Sequence, residues 1–183
     1  MTNNSYAIAL VLSFVTPLAA TTAAAGDLGV SIAQQGTAKG VAPCMTCHGA
    51  DGGGMAATGY PRIAGLDPDY MVKQIGDFRA GKRNNPLMVP MSMNLTEDEI
   101  GAVSAYYAAM PIPVTAAQPL DDAVTKAAVD MALWGDWTGR GLPGCSQCHA
   151  PDGNGIGSHF PGIANQPASY IKAQLQAWKT GDQ

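Results

Sequence analysis

Cys44-Met45-Thr46-Cys47-His48 and Cys145-Ser146-Gln147-Cys148-His149 are the two stretches on which the fold turns. Both read C-x-x-C-H, and the four cysteines of the 183-residue chain all lie in them. The spacing suits covalent attachment of a c-type haem. Two thiols add to the two vinyl groups of the porphyrin, and the turn between them sets the next histidine under the iron. Cys44, Cys47, Cys145 and Cys148 are therefore expected to form thioethers, with His48 and His149 as proximal metal ligands. A zinc site of four thiolates competes with this reading, but it would leave both histidines without a role.

The surroundings of the motifs repeat as well. Pro61-Arg62-Ile63-Ala64 recurs 100 positions later as Pro161-Gly162-Ile163-Ala164, and Tyr70, Gln74, Phe78 and Gly81 meet Tyr170, Gln174, Trp178 and Gly181 at that offset. The motifs themselves, with Asp51-Gly52 and Asp152-Gly153, stand 101 apart, so one residue is lost between motif and proline. Self-similarity of this kind means one structural unit used twice. Each unit predicts a helix before its motif (Leu28 to Lys39; Asp121 to Trp134), then a Gly-rich loop, then a second helix (Pro68 to Ala80; Ala168 to Thr180). The first unit adds a third helix. Thr96 and Glu99 there form a capping box, and Ile100, Val103 and Tyr107 fall at helical spacing. Pro111-Ile112-Pro113 ends that helix, leaving a linker.

Composition agrees with a globular protein: 46% of residues are apolar and 13% charged. The net charge of -4 and the lack of a basic cluster argue against nucleic acid as a partner. An apolar run from Tyr6 to Ala20, followed by Ala23 and Ala25 before Gly26, reads as a secretory leader, although Met1 to Ser5 carry no Lys or Arg. The run contains Pro17 and is short for a membrane span. The domain reading is thus a signal peptide over 1–25, a first domain over 26–113, a linker over 114–120 and a second domain over 121–183.

On the distal side of the first haem, Met88, Met91 and Met93 cluster in a predicted loop before the third helix. A thioether on the iron raises the reduction potential, which suits a carrier. Filling an irregular core is the commoner use of methionine. The two C-x-x-C-H units, the Pro-x-Ile-Ala sequence and the Tyr-x-x-x-Gln helix resemble the dihaem cytochromes c of the c-four type, over residues from about 28 to 183. The resemblance implies an all-α fold of two tandem class I cytochrome c domains, each wrapped around one covalently bound haem. It also implies a distal Met seven residues before the Leu that opens the last helix. Met88-Val89-Pro90 with Leu95 fits, making Met88 the third metal ligand and Met91 the runner-up. By the same resemblance, the carbonyls of Pro61 and Pro161 accept the second N–H of His48 and His149. Arg62 is a candidate partner for a haem propionate, and Tyr70, Tyr170, Phe78 and Trp178 are expected in the haem walls. His159 reads as a solvated loop residue.

The second unit departs from the first near its end: no methionine follows Cys148. That predicts a natural chain continuing past Gln183 for roughly 25 to 40 residues, enough for a Met-bearing loop and one closing helix. The expected function is electron transfer by an exported dihaem cytochrome, from a periplasmic donor to a terminal oxidase or another acceptor. The alternatives are the cytochrome subunit of an exported dehydrogenase or sulfur-oxidising enzyme, or a dihaem peroxidase-like enzyme. With no spare cysteine and no catalytic acid–base pair, a carrier is expected rather than an enzyme. Its partners would be a redox donor and acceptor, among them a membrane-bound oxidase or dehydrogenase. Its location would be the periplasm, free or loosely held at the inner membrane.

Overall fold

The computed structural model describes residues 20–114 and 121–181, with side chains from residue 26 onward. Eight helices follow one another: α1 (Ala20–Gln35), α2 (Met45–His48), α3 (Pro68–Arg79), α4 (Met88–Met93), α5 (Glu97–Ala108), α6 (Asp122–Trp134), α7 (Cys145–His149) and α8 (Ala168–Thr180). Among the described residues the only β-structure is three isolated bridges. Most of the leader reading and of the linker falls on residues 1–19 and 115–120, which lie outside the described residues.

α1 ends four residues before the expected Lys39. Gly36 there takes φ +75°, and a Cβ would meet the Val41 carbonyl at 2.0 Å, so the chain turns back at a residue only glycine fills. α1 crosses α5 at Gly29, whose missing side chain lets the two backbones approach. Ile32, Ile100, Val103 and Tyr107 fill the crossing, each at most 4% exposed, and Leu66 and Met71 extend the core toward α3. The capping box forms: Glu99 N–H donates to Thr96 Oγ1 at 3.2 Å and Thr96 N–H to Glu99 Oε2 at 2.6 Å.

The methionine segment is a short helix, α4, where a loop was expected. Its proline falls in the first turn, where no N–H is needed, and Asn85 Oδ1 accepts the Leu87 and Met88 N–H groups at 3.0 Å each. Arg79 pins its far end by donating to the carbonyls of Ser92 and Leu95 while pairing with Glu97.

The two units match bond for bond around the haem motifs. Gly52 O accepts the Ile63 and Ala64 N–H groups, and Gly153 O those of Ile163 and Ala164. The bridge Met55–Tyr60 returns as Ile156–Phe160, so the lost residue lies in the turn between the bridged positions. Asn165 adopts φ +55° where Gly65 has +66°, asparagine tolerating the left-handed region better than most residues. Among the described residues the second unit holds counterparts of α1, α2 and α3, and neither α6 nor α8 contains a buried residue.

The units meet through equivalent positions. Arg62 Nη2 donates to Gly162 O at 3.1 Å, and the Arg62 backbone exchanges two bonds with the Gln166 side chain, at 3.0 and 2.7 Å. Arg83 lies 4.7 Å over the Phe78 ring and donates to Gln74, Gln174 and the Tyr170 hydroxyl, the last at 2.8 Å. Positions 62 and 162, and 74 and 174, thus face one another, as in the isologous contact of a twofold dimer.

Candidate haem sites

The first motif is held by α2 and its flanks. His48 N–H closes onto Cys44 O at 3.0 Å, which folds the C-x-x-C turn and brings His48 under it. His48 is 9% exposed, and its Nδ1 lies 2.9 Å from Pro61 O. Nδ1–H donates to this carbonyl, which leaves Nε2 as the lone-pair nitrogen for a metal. Burial holds the ring below its ordinary pKa, outweighing the Pro61 bond, and so favours the neutral, ligating form.

The second motif repeats this. α7 carries Cys145, Cys148 and His149, and His149 Nδ1 lies 2.7 Å from Pro161 O. Phe160 stands edge-on to the His149 ring at 6.3 Å. Gly54 N–H and Gly155 N–H bond back to His48 O and His149 O, so each Gly-rich loop is sewn to its own motif.

No disulfide joins any of the four cysteines. Burial, then the neighbouring Cys47, push the Cys44 thiol up to about 11, against the bond from its own backbone. A thiol held protonated is a poor metal thiolate. Among the described residues no group of three or more His, Cys, Asp or Glu is arranged to hold a metal ion, so the two cysteine pairs do not converge on one zinc. The donor set fits a covalent haem in each unit: paired thiols, an oriented imidazole and apolar surroundings.

The three methionines differ in their settings. Met93 is 60% exposed, Met91 packs against the core cluster, and Met88 is half-buried at the start of α4 outside that cluster. Tyr170 and Arg83 form part of the contact between units, Phe78 lies beneath Arg83, and Trp178 is 58% exposed. Arg62 is fully buried and donates to Ala64 O and Gly162 O. His159 is exposed, 3.2 Å from Ser158 Oγ. Gln166 and Arg83 were not foreseen. The signal for Gln166 was the divergence of the repeats, which hold Leu66 where the second unit has Gln166.

Residues 35–110 match the Cytochrome c family. The chain is 47% identical over 154 residues to the thiosulfate dehydrogenase electron acceptor of Stutzerimonas stutzeri strain A1501, covering 84% of this chain and 71% of that one. It is 37% identical over 149 residues to cytochrome c4 of Thiocapsa roseopersicina, covering 80% and 74%. In three dimensions it resembles the thiosulfate dehydrogenase TsdBA of Marichromatium purpuratum, with TM-score 0.79 and 48% identity, over 86% of this chain and 34% of that one. This chain therefore spans only about a third of that larger protein. Two covalently bound haems, a tandem all-helical fold and a part in electron transfer follow, and the chain belongs to the dihaem c-type cytochromes of the cytochrome c4 family.

Proposed function

We propose that the chain is a periplasmic electron acceptor for a thiosulfate-oxidising enzyme, holding two electrons at a time and passing them to a further redox protein. The observation that carries the reading is the 47% identity to a thiosulfate dehydrogenase electron acceptor, above the 37% to a cytochrome c4. The chemistry is consistent: joining two thiosulfates through a sulfur–sulfur bond releases two electrons, one for each of two haems.

When bound, each haem supplies an iron that alternates between the ferrous and ferric states. The chain's own residues supply attachment, orientation and shielding. Cys44, Cys47, Cys145 and Cys148 fix the groups covalently, and His48 and His149, aimed by Pro61 O and Pro161 O, present Nε2 to the metal. Met88 supplies the distal thioether of the first site. The leader-like run from Tyr6 to Ala20 supports export. Among the described residues no helix is long and apolar enough to cross a membrane.

The test is rapid mixing of the oxidised holoprotein with a purified thiosulfate dehydrogenase and thiosulfate, followed by haem absorbance. Both haems should be reduced, with two electrons taken up per chain. Reduction by dithionite but not by enzyme and thiosulfate would remove the proposal and leave a general cytochrome c4 carrier, the reading that the 37% identity supports.

A further inference from the structure

The loop between α3 and α4 carries the chain to Met88, and its apolar packing is thin. Of residues 81–87 only Arg83 and Asn85 are not exposed, and Leu87 is 51% exposed. A segment with so little buried apolar surface is held by polar bonds or opens at small cost. The two ends of α4 are secured differently. Arg79 clamps the far end from within the first unit, through Ser92 O, Leu95 O and Glu97. The near end depends on Asn85, whose Oδ1 accepts the Leu87 and Met88 N–H groups and whose carbonyl accepts the Val89 N–H at 3.0 Å.

Asn85 is in turn placed by Arg83, two residues ahead of it and so at most about 7 Å away along the chain. Arg83 N–H bonds Asp77 O at 3.1 Å, and its side chain lies over Phe78 and donates through Nη1 to Gln74 Oε1 at 2.9 Å. Its Nη2 leaves the first unit, donating to the Tyr170 hydroxyl at 2.8 Å and to Gln174 Oε1. Tyr170 and Gln174 stand four residues apart on α8 and so share one face of it. The planar fork of one guanidinium thus spans the contact, one arm on α3 and the other on α8.

We propose that Arg83 is a positioning residue for Met88 that draws its support from the other unit. Tyr170 and Gln174 fix Arg83, Arg83 fixes the approach to Asn85, and Asn85 fixes the start of α4 that presents the thioether to the first iron. Docking of the second unit and methionine ligation in the first are then linked equilibria, each favouring the other. The proposal rests on Met88 being the distal ligand of the first site and is independent of the electron donor. A competing ligand binds that iron only in molecules whose methionine has left it, so its apparent affinity follows the open fraction. A hydrogen bond to a charged group is worth about tenfold in such an equilibrium.

The experiment titrates imidazole into oxidised, full-length holoprotein and follows loss of the sulfur-to-iron absorption that Met88→Ala abolishes. Arg83→Met, which keeps the length but loses every donor, should need about tenfold less imidazole for half-loss. The decisive variant leaves the first unit untouched: Tyr170→Phe with Gln174→Leu should also lower the half-loss concentration, by at least threefold. Tyr170→Phe alone, which removes one hydroxyl and keeps the ring, replaces the double variant and is read in the same way should the latter not assemble. An effect of Arg83→Met with none from the second-unit variant would confine Arg83 to Gln74 and Phe78 and overturn the cross-unit role. Half-loss within threefold of native in both overturns the positioning role altogether. Sulfur-to-iron absorption that survives Met88→Ala is a separate failure, of the ligand assignment itself, and the proposal falls with it.

Discussion

Gly29 and Gly101 lie on the two helices whose crossing closes the first unit, and the same substitution should act on them in opposite directions. Replacing a helical glycine with alanine gains about 1 kcal/mol in backbone preference alone. At Gly101 a new Cβ would have nothing within 4 Å, so Gly101→Ala should realise that gain. At Gly29 the Cβ would lie 2.4 Å from Ala102 O and 2.9 Å from Tyr106 Cβ, and the nearer obstacle is backbone. An ordinary contact there needs about 1 Å more space, which means moving α1 off α5 across a core containing Ile32, Ile100 and Tyr107. Overpacking of this kind costs about 1–3 kcal/mol, so after the helical gain the net effect of Gly29→Ala is a loss of up to about 2 kcal/mol. Thermal unfolding of the holoprotein by circular dichroism reads both variants, with about 4–8 °C expected per kcal/mol for a domain of this size. Should Gly29→Ala melt at or above the native temperature, the close α1–α5 crossing is not what holds this unit together.

Three further outcomes are expected from single side chains. Met88→Ala should remove the sulfur-to-iron absorption of the oxidised first haem and lower its potential, while Met91→Ala and Met93→Ala leave both nearly unchanged; an effect carried by Met91 would move the ligand to the core-packed position. At the start of α5, Thr96→Ala should cost about 1 kcal/mol. The Thr96 backbone N–H, then its hydroxyl, and Lys39 beside it hold the Glu99 carboxyl below its usual range. Its folded pKa is therefore the lower one, so this stabilisation is complete above the unfolded value of about 4.3 and fades as pH falls through the folded one. Acid unfolding of Glu99→Gln should lack that part of the pH dependence, and an unchanged acid limb would show the capping carboxylate to be idle.

What could be read in the sequence was whatever local chemistry imposes. The C-x-x-C-H motifs state a covalent demand, Thr96 and Glu99 announce their helix, and the offset of 100 announces two copies of one unit. α4 was missed because Met-Val-Pro-Met-Ser-Met has no apolar period and contains a proline, and its helix depends on Asn85 lying ahead of it. The contact between units was missed for a different reason. A repeat shows that two units exist but not the operation that relates them. Once positions 62 and 162 are seen to face each other, Arg62 against Gly162 and Leu66 against Gln166 become a matched asymmetry, where the sequence offered only Arg62 beside a haem edge and Tyr170 in a haem wall.

The central claim, that each unit carries one haem through two thioethers, is tested most directly by the intact mass of the mature protein under denaturing, acid-extracted conditions. The account predicts a chain that retains two haems, with thioethers at Cys44, Cys47, Cys145 and Cys148. Free thiols, disulfides or zinc at either pair, or haem released by extraction, would contradict it.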